Sequence, residues 1–278
     1  MKDFSALEKI TNKLIIDIPH INLLGLDGKS GAAIFFYNLF SKTDIILYRE
    51  IADELIDDIF SKLDTKFPLN YSSGLAGIGC AIEYIVSNNY VEADLASLLD
   101  DFDNQIFQFN NKRFNHDNFL WDYYGPGLYY LKLHKYHSDI WKNEALNFIL
   151  KDLYYQISLK SVEISDKFLV SLAHFASRVD LPIESMIKID DFIHLNILKN
   201  DNAMPLIQNL NLNHKLFPKT NHIIKSKKKN LDFRFFFSEI LLFNEDFKID
   251  YTLKKTAFPE NNYGLEGLSG FGYYMLWK

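Results

Sequence analysis

Residues 74–85 read "GLAGIGCAIEYI": three glycines within six positions, then an apolar run. Glycine inside a helix is less favourable than alanine by about 1 kcal/mol. Three of them at the head of an apolar helix therefore point to a demand that larger residues cannot meet. The phrase recurs. "GKSGAAIFFYNLF" begins at Gly28, "YGPGLYYLKLHKY" at Tyr124 and "GLSGFGYYMLWK" at Gly267. With the second glycine as marker, Gly31, Gly77 and Gly127 lie 46 and 50 residues apart. A further 47 residues on, "SLAHFAS" copies the phrase with His174 in the marker's place, and Gly270 follows 96 residues later. The slot between them falls near residue 222, in "TNHIIKSKKKN", which has lost the phrase. Six slots at a period of about 48 residues are a repeat signal, and a repeat decides the fold.

Between the phrases lie segments of a different kind. "DIILYREIADELIDDIFSKL" sets Ile46, Ile51, Leu55 and Ile59 on one stripe, with Glu50, Asp53, Glu54 and Asp57 off it. "EADLASLLDDFDNQIFQF" and "SDIWKNEALNFILKDLYYQI" behave the same way. Such segments are amphipathic helices with one wet face. The phrase helices are apolar nearly all round, which predicts burial. The repeating unit is then a hairpin of one inner and one outer helix. "FRFFFSEILLF" from Phe233 has strand-like composition, but its length and setting suit an outer helix. The expected fold is an all-α toroid, an inner helical barrel within an outer one. It is built as a single domain over 1–278 from about six hairpins, with the one near 200–235 eroded.

In such a ring the glycines have three uses. They let backbones approach closely, they supply positive φ in a tight turn, and they leave the N–H groups at helix starts accessible. Packing alone is one reading. A mouth lined by glycine-rich helix starts is the other. The residues argue against a phosphate loop: "GKS" at 28–30 lacks the upstream glycine spacing, and the phrases follow helices rather than strands.

Composition narrows the class. The chain has 278 residues, 48% hydrophobic and 24% charged, enough for a sizeable core. A net charge of -6 argues against nonspecific nucleic-acid binding. One cysteine, Cys80, excludes an internal disulfide and any multi-cysteine zinc site. The N-terminal stretch carries charges throughout and lacks the apolar core of a signal peptide. No segment reaches the roughly 18 uncharged apolar residues of a membrane span. A cytoplasmic protein with no membrane association is expected.

The G-L-x-G-x-G helix starts resemble those of the lanthionine synthetase C-like family, above all "GLAGIGCAIEYIVSNNYVEAD" and "GLEGLSGFGYYML". The resemblance runs from Leu24 to the C-terminus and thins through 180–260. It implies an α/α toroid. Active members of the family cyclise ribosomal peptides by adding a cysteine thiol to a dehydrated serine or threonine. They use one zinc ion held by two cysteines and a histidine. This chain departs from the pattern where that chemistry sits. The family's W-C-Y-G-x-P-G phrase has its nearest match in "WDYYGPG", Trp121–Gly127, with Asp122 in the cysteine's place and in an early rather than a late repeat. The family's C-H-G phrase has no counterpart. The resemblance thus implies a member without the zinc site or another cofactor. Such a member acts by binding a peptide, or as a non-catalytic partner of a peptide-maturation enzyme.

Other constellations carry less. Cys80 reads as a buried, inert core residue. His134 and His137 stand i, i+3 with no third ligand in sight, which suits solvated helix-end histidines. "LDDFD", Leu99–Asp103, mimics a metal-diphosphate motif but falls on an outer helix, and "KSKKK", Lys225–Lys229, reads as a solvated loop. Asp122 with His116, Tyr123 and Tyr124 is the best polar cluster at an inner-helix start, although helix capping explains it as well. His174 replaces a glycine where the mouth is expected. Inner helices of a toroid share one direction, so their starts gather at one end. Asp27, Lys29, Asp122, Tyr123, His174 and Glu266 are the polar side chains of those starts, with Tyr124 beside them for stacking. The alternative function is a carbohydrate-active hydrolase on the same architecture, with Asp122 and Glu266 as its two carboxylates.

Overall fold

The apolar phrase at 28–40 forms a helix with no wet face. In the computed structural model, which describes residues 2–64, 67–110, 119–133 and 181–199 together with single positions between 143 and 176 and at 269, this is α2, Lys29–Thr43. Every residue from Lys29 to Leu39 is buried. It follows α1, Lys2–Asp17, which buries Ile10, Thr11 and Leu14, and a 3-10 turn at Ile18–His20. The chain then reverses through Asp44 and Ile45 into α3, Ile46–Lys62, which packs along α2. Only Ala52, Leu55 and Ile59 of α3 are buried, while Glu50, Glu54 and Asp57 face water. The alternation repeats. Helix α4, Leu75–Ser87, is buried from Leu75 to Ile85. Helix α5, Leu95–Asn110, buries one stripe of Leu95, Leu99, Phe102 and Ile106. Full burial of a side chain such as Phe35 or Phe36 stabilises by about 1.5–3 kcal/mol, so the two inner helices carry much of the core.

Helix α6, Phe119–Leu133, is buried from Gly125 to Leu131. In "SDIWKNEALNFILKDLYYQI" the described positions divide as an outer helix should. Ala145, Leu146, Ile149 and Leu150 are buried, and Asn143, Asn147, Lys151 and Tyr155 are exposed. Helix α7, Ile183–Lys199, buries Met186, Ile189, Asp190 and Ile193. No strand occurs among the described residues, so the chain is all-α there, as its pattern predicts. None of the described helices is long and apolar enough to cross a membrane. The chain divides into two compact units, Met1–Ile106 with Phe233–Lys278, and Phe107–Asp232.

Three expectations need correction. Ile46, placed on the buried stripe of α3, is 66% exposed. It is the first residue of α3, two past the cap of α2 at Asp44, and the stripe begins a full turn later. Second, no described glycine has a positive φ; that backbone conformation occurs at Asp44 and Asn89 instead. Third, "YGPG" at 124–127 is not a turn ahead of a helix but lies inside α6, with Pro126 in its interior. Proline there removes the N–H that would bond the carbonyl of Asp122. The glycine that follows answers to packing: a Cβ at Gly127 would stand 2.7 Å from the Phe175 ring. The close approach requires glycine, and it joins the third phrase to the fourth.

Candidate functional site

The glycine-rich starts of α2 and α4 lie against one another. The Asp27 N–H donates to the Ser72 carbonyl at 2.8 Å. A Cβ on Gly25 would meet that same carbonyl at 2.5 Å and the Ser73 Cα at 2.6 Å, and one on Gly77 would run into the Tyr71 carbonyl and meet Leu26 Cγ at 3.3 Å. Gly25 thus serves backbone-to-backbone approach between neighbouring repeats, while Gly77 lets the loop before α4 fold back on its own helix start. Towards the other end of the same two helices, the Tyr84 hydroxyl donates to Asn38 Oδ1 at 3.2 Å. Contacts start-to-start and end-to-end fix α2 and α4 as parallel neighbours, which is the shared direction expected of inner helices.

The leading donors at these starts are taken up by the protein's own loops. The N–H of Lys29 bonds the Leu23 carbonyl at 2.9 Å, that of Ser30 bonds Leu24 at 3.0 Å, and that of Leu75 bonds Pro68 at 2.7 Å. The Ser30 hydroxyl also donates to the Leu24 carbonyl, at 2.5 Å. The loops fold back to satisfy the groups that a helix start leaves without internal partners. The expectation of accessible N–H groups therefore fails at Lys29, Ser30 and Leu75. The approach to α4 is braced further by Asn70, whose Oδ1 accepts from the Ser73 N–H at 2.8 Å and the Ser73 hydroxyl at 2.9 Å.

Of the side chains expected at the helix starts, Asp27 is half-buried beside Ser72. Lys29 points elsewhere. It is 7% exposed, and its Nζ pairs with Asp58 on α3. Lys62 reaches the same carboxylate, with Nζ 2.7 Å from Oδ1. Hydrogen bonds from Lys29 and then Lys62 hold the Asp58 carboxyl below its usual range, and Asp58 in turn raises Lys62. Lys29 is thus a clasp between inner and outer helix rather than a group lining a mouth. Asp122, Tyr123 and Tyr124 occupy the fourth to sixth positions of α6, ahead of Pro126. His116, His134, His137, His174, Glu266, the lysine run at 225–229 and the segment from Phe233 lie outside the described residues.

A polar network that the sequence pattern does not announce lies towards the far ends of α2 and α4. Asn38 Oδ1 accepts from Tyr90 at 3.0 Å as well as from Tyr84, while Asn38 Nδ2 donates to the Ile34 carbonyl at 2.7 Å. The Tyr90 ring stacks on Tyr37 with centroids 5.3 Å apart, and the Tyr37 hydroxyl donates to Asp53 on α3 at 2.6 Å. Burial pushes Tyr90 up to about 12, with Tyr84 adding to it. Burial first, then the bond to Asp53, holds Tyr37 well above the ordinary tyrosine range. Glu83 is fully buried on α4 and accepts from the Ser87 hydroxyl at 2.7 Å. One signal for the network is visible in sequence: Asn38 and Tyr84 stand one repeat apart.

A zinc site of the thiolate type does not fit these residues. The one cysteine, Cys80, is 0% exposed within α4, where it packs as core. No group of three histidine, cysteine, aspartate or glutamate side chains able to hold a metal occurs among the described residues.

A family model described as lanthionine synthetase C-like protein matches residues 25–176. The match begins at Gly25, in the first glycine-rich start, and ends at Ala176, in the fourth phrase. No curated protein and no solved structure matches the chain. The family's fold is a helical toroid, the architecture that the repeat predicts. The match covers more than half of the chain, and the parallel inner helices α2 and α4 with their outer partners agree with it: the chain belongs to the lanthionine synthetase C-like family.

Proposed function

We propose that this protein binds a peptide in ribosomal peptide modification and does not perform the zinc-dependent thioether cyclisation of the family's active members. The ligand set carries the reading. A zinc ion activates a thiol by holding it as thiolate among soft ligands. This family member has one thiol, Cys80, buried in α4, and Asp122 where the family's phrase has cysteine. Recognition is the part of the family's task that survives without that set. The proposed peptide contacts are at the starts of the phrase helices: Asp27, Asp122, Tyr123, Tyr124, His174 and Glu266. Peptide bonds and carboxylates give hydrogen bonds, and the two tyrosines give stacking area. The partner is a peptide, or a maturation enzyme presenting one, in the cytoplasm; neither nucleic acid nor a membrane has a part.

The test uses a synthetic peptide with one cysteine and one dehydroalanine. Calorimetry reads binding, and alkylation of the remaining thiol reads cyclisation, which leaves the mass unchanged. The expected result is binding with the thiol still alkylatable. The Asp122→Ala, His174→Ala double variant should bind at least tenfold more weakly with an unchanged melting temperature. Equal binding by the folded double variant would remove these contacts from the reading. Thiol loss accelerated by the wild-type protein would overturn the non-cyclising role.

A further inference from the structure

We draw no further inference here: the strongest candidate, the exposed apolar turn Ile45–Ile46–Leu47 between α2 and α3, is an unpartnered surface and nothing in the structure shows what covers it.

Discussion

The Tyr84 hydroxyl donates to Asn38 Oδ1 at 3.2 Å across 46 residues of chain, one full repeat. The two side chains hold equivalent places on neighbouring inner helices, so a bond between them is a bond between repeats. Tyr90 adds a second donor to the same oxygen from the loop beyond α4.

Asn38→Leu should therefore be disproportionately destabilising. It removes the shared acceptor of Tyr84 and Tyr90 while leaving both hydroxyls in place. The change removes both bonds at once, each worth about 0.5–1.5 kcal/mol net, so a loss of about 1–3 kcal/mol is expected in urea unfolding. Tyr90→Phe, which removes one donor with its bond, should lose only about 1 kcal/mol. Equal effects of the two changes would show that Asn38 is not the hub.

Gly77→Val places a branched side chain against the Tyr71 carbonyl and Leu26. Backbone cannot retreat as a side-chain tip can, so the loop at Tyr71 must move away from the start of α4. The expected loss is on the order of 1–3 kcal/mol or more, read as a lower melting temperature. An unaltered melting temperature would mean that the Tyr71 loop does not lie against the start of α4.

Asp58→Asn leaves the buried Lys29 ammonium without its carboxylate, at a helix start where the dipole already disfavours a cation. A loss of about 1–3 kcal/mol is expected near neutral pH. The pH dependence has a definite sign. The folded carboxyl lies below its ordinary 3.8, so its stabilisation is complete above that value and fades as pH falls through the folded pKa. Wild type should lose stability more steeply than Asp58→Asn in that acid range. Parallel acid profiles for the two proteins would dissociate Asp58 from the clasp.

Asp44→Gly should stabilise. Asp44 caps α2 with φ 55, a left-handed conformation that glycine adopts without the Cβ penalty, and its charge sits at the negative end of the helix. The side chain is exposed, so no packing is lost. A gain of about 0.5–1 kcal/mol is expected by denaturant titration. A loss would mean that the carboxylate makes a contact worth more than the strain.

The repeat and the inner–outer alternation are legible in sequence because burial imposes them on every turn. Residues 75–85 are apolar nearly all round because α4 is covered on all sides, and Leu55 and Ile59 mark the one dry stripe of α3. The use made of the glycines is not legible. Close approach and positive φ both ask for a missing Cβ, and only the Tyr71 and Ser72 carbonyls of the loop before α4, set against Gly77 and Gly25, decide for approach. "YGPG" reads as a breaker because proline and glycine disfavour helix locally; the Phe175 ring against Gly127 is a tertiary term that local chemistry does not contain. Lys29 reads as a rim residue because it follows Gly28, yet its direction is set by Asp58, 29 residues on and in another helix. Of the proposed contacts, Asp27 bonds the loop before α4 through its backbone N–H, while His174 and Glu266 fall outside the described residues.

The Asp27–Ser72 hydrogen bond has a consequence for how the chain is made. When residues 1–62 have left the ribosome, α2 and α3 are complete as sequence, but α2 is apolar on the side that awaits α4. The Asp27 N–H and the Asn38 oxygen acquire their partners from α4 and its flanking loops only when residues 72–90 emerge. Closing a loop of that length precedes any return from the contacts it makes. The nascent hairpin therefore passes through an interval with a greasy flank uncovered, the condition in which growing chains aggregate or recruit chaperones. Helix α2 is finished by α4, which is translated after it, so its exposure lasts until residues 72–90 have left the ribosome.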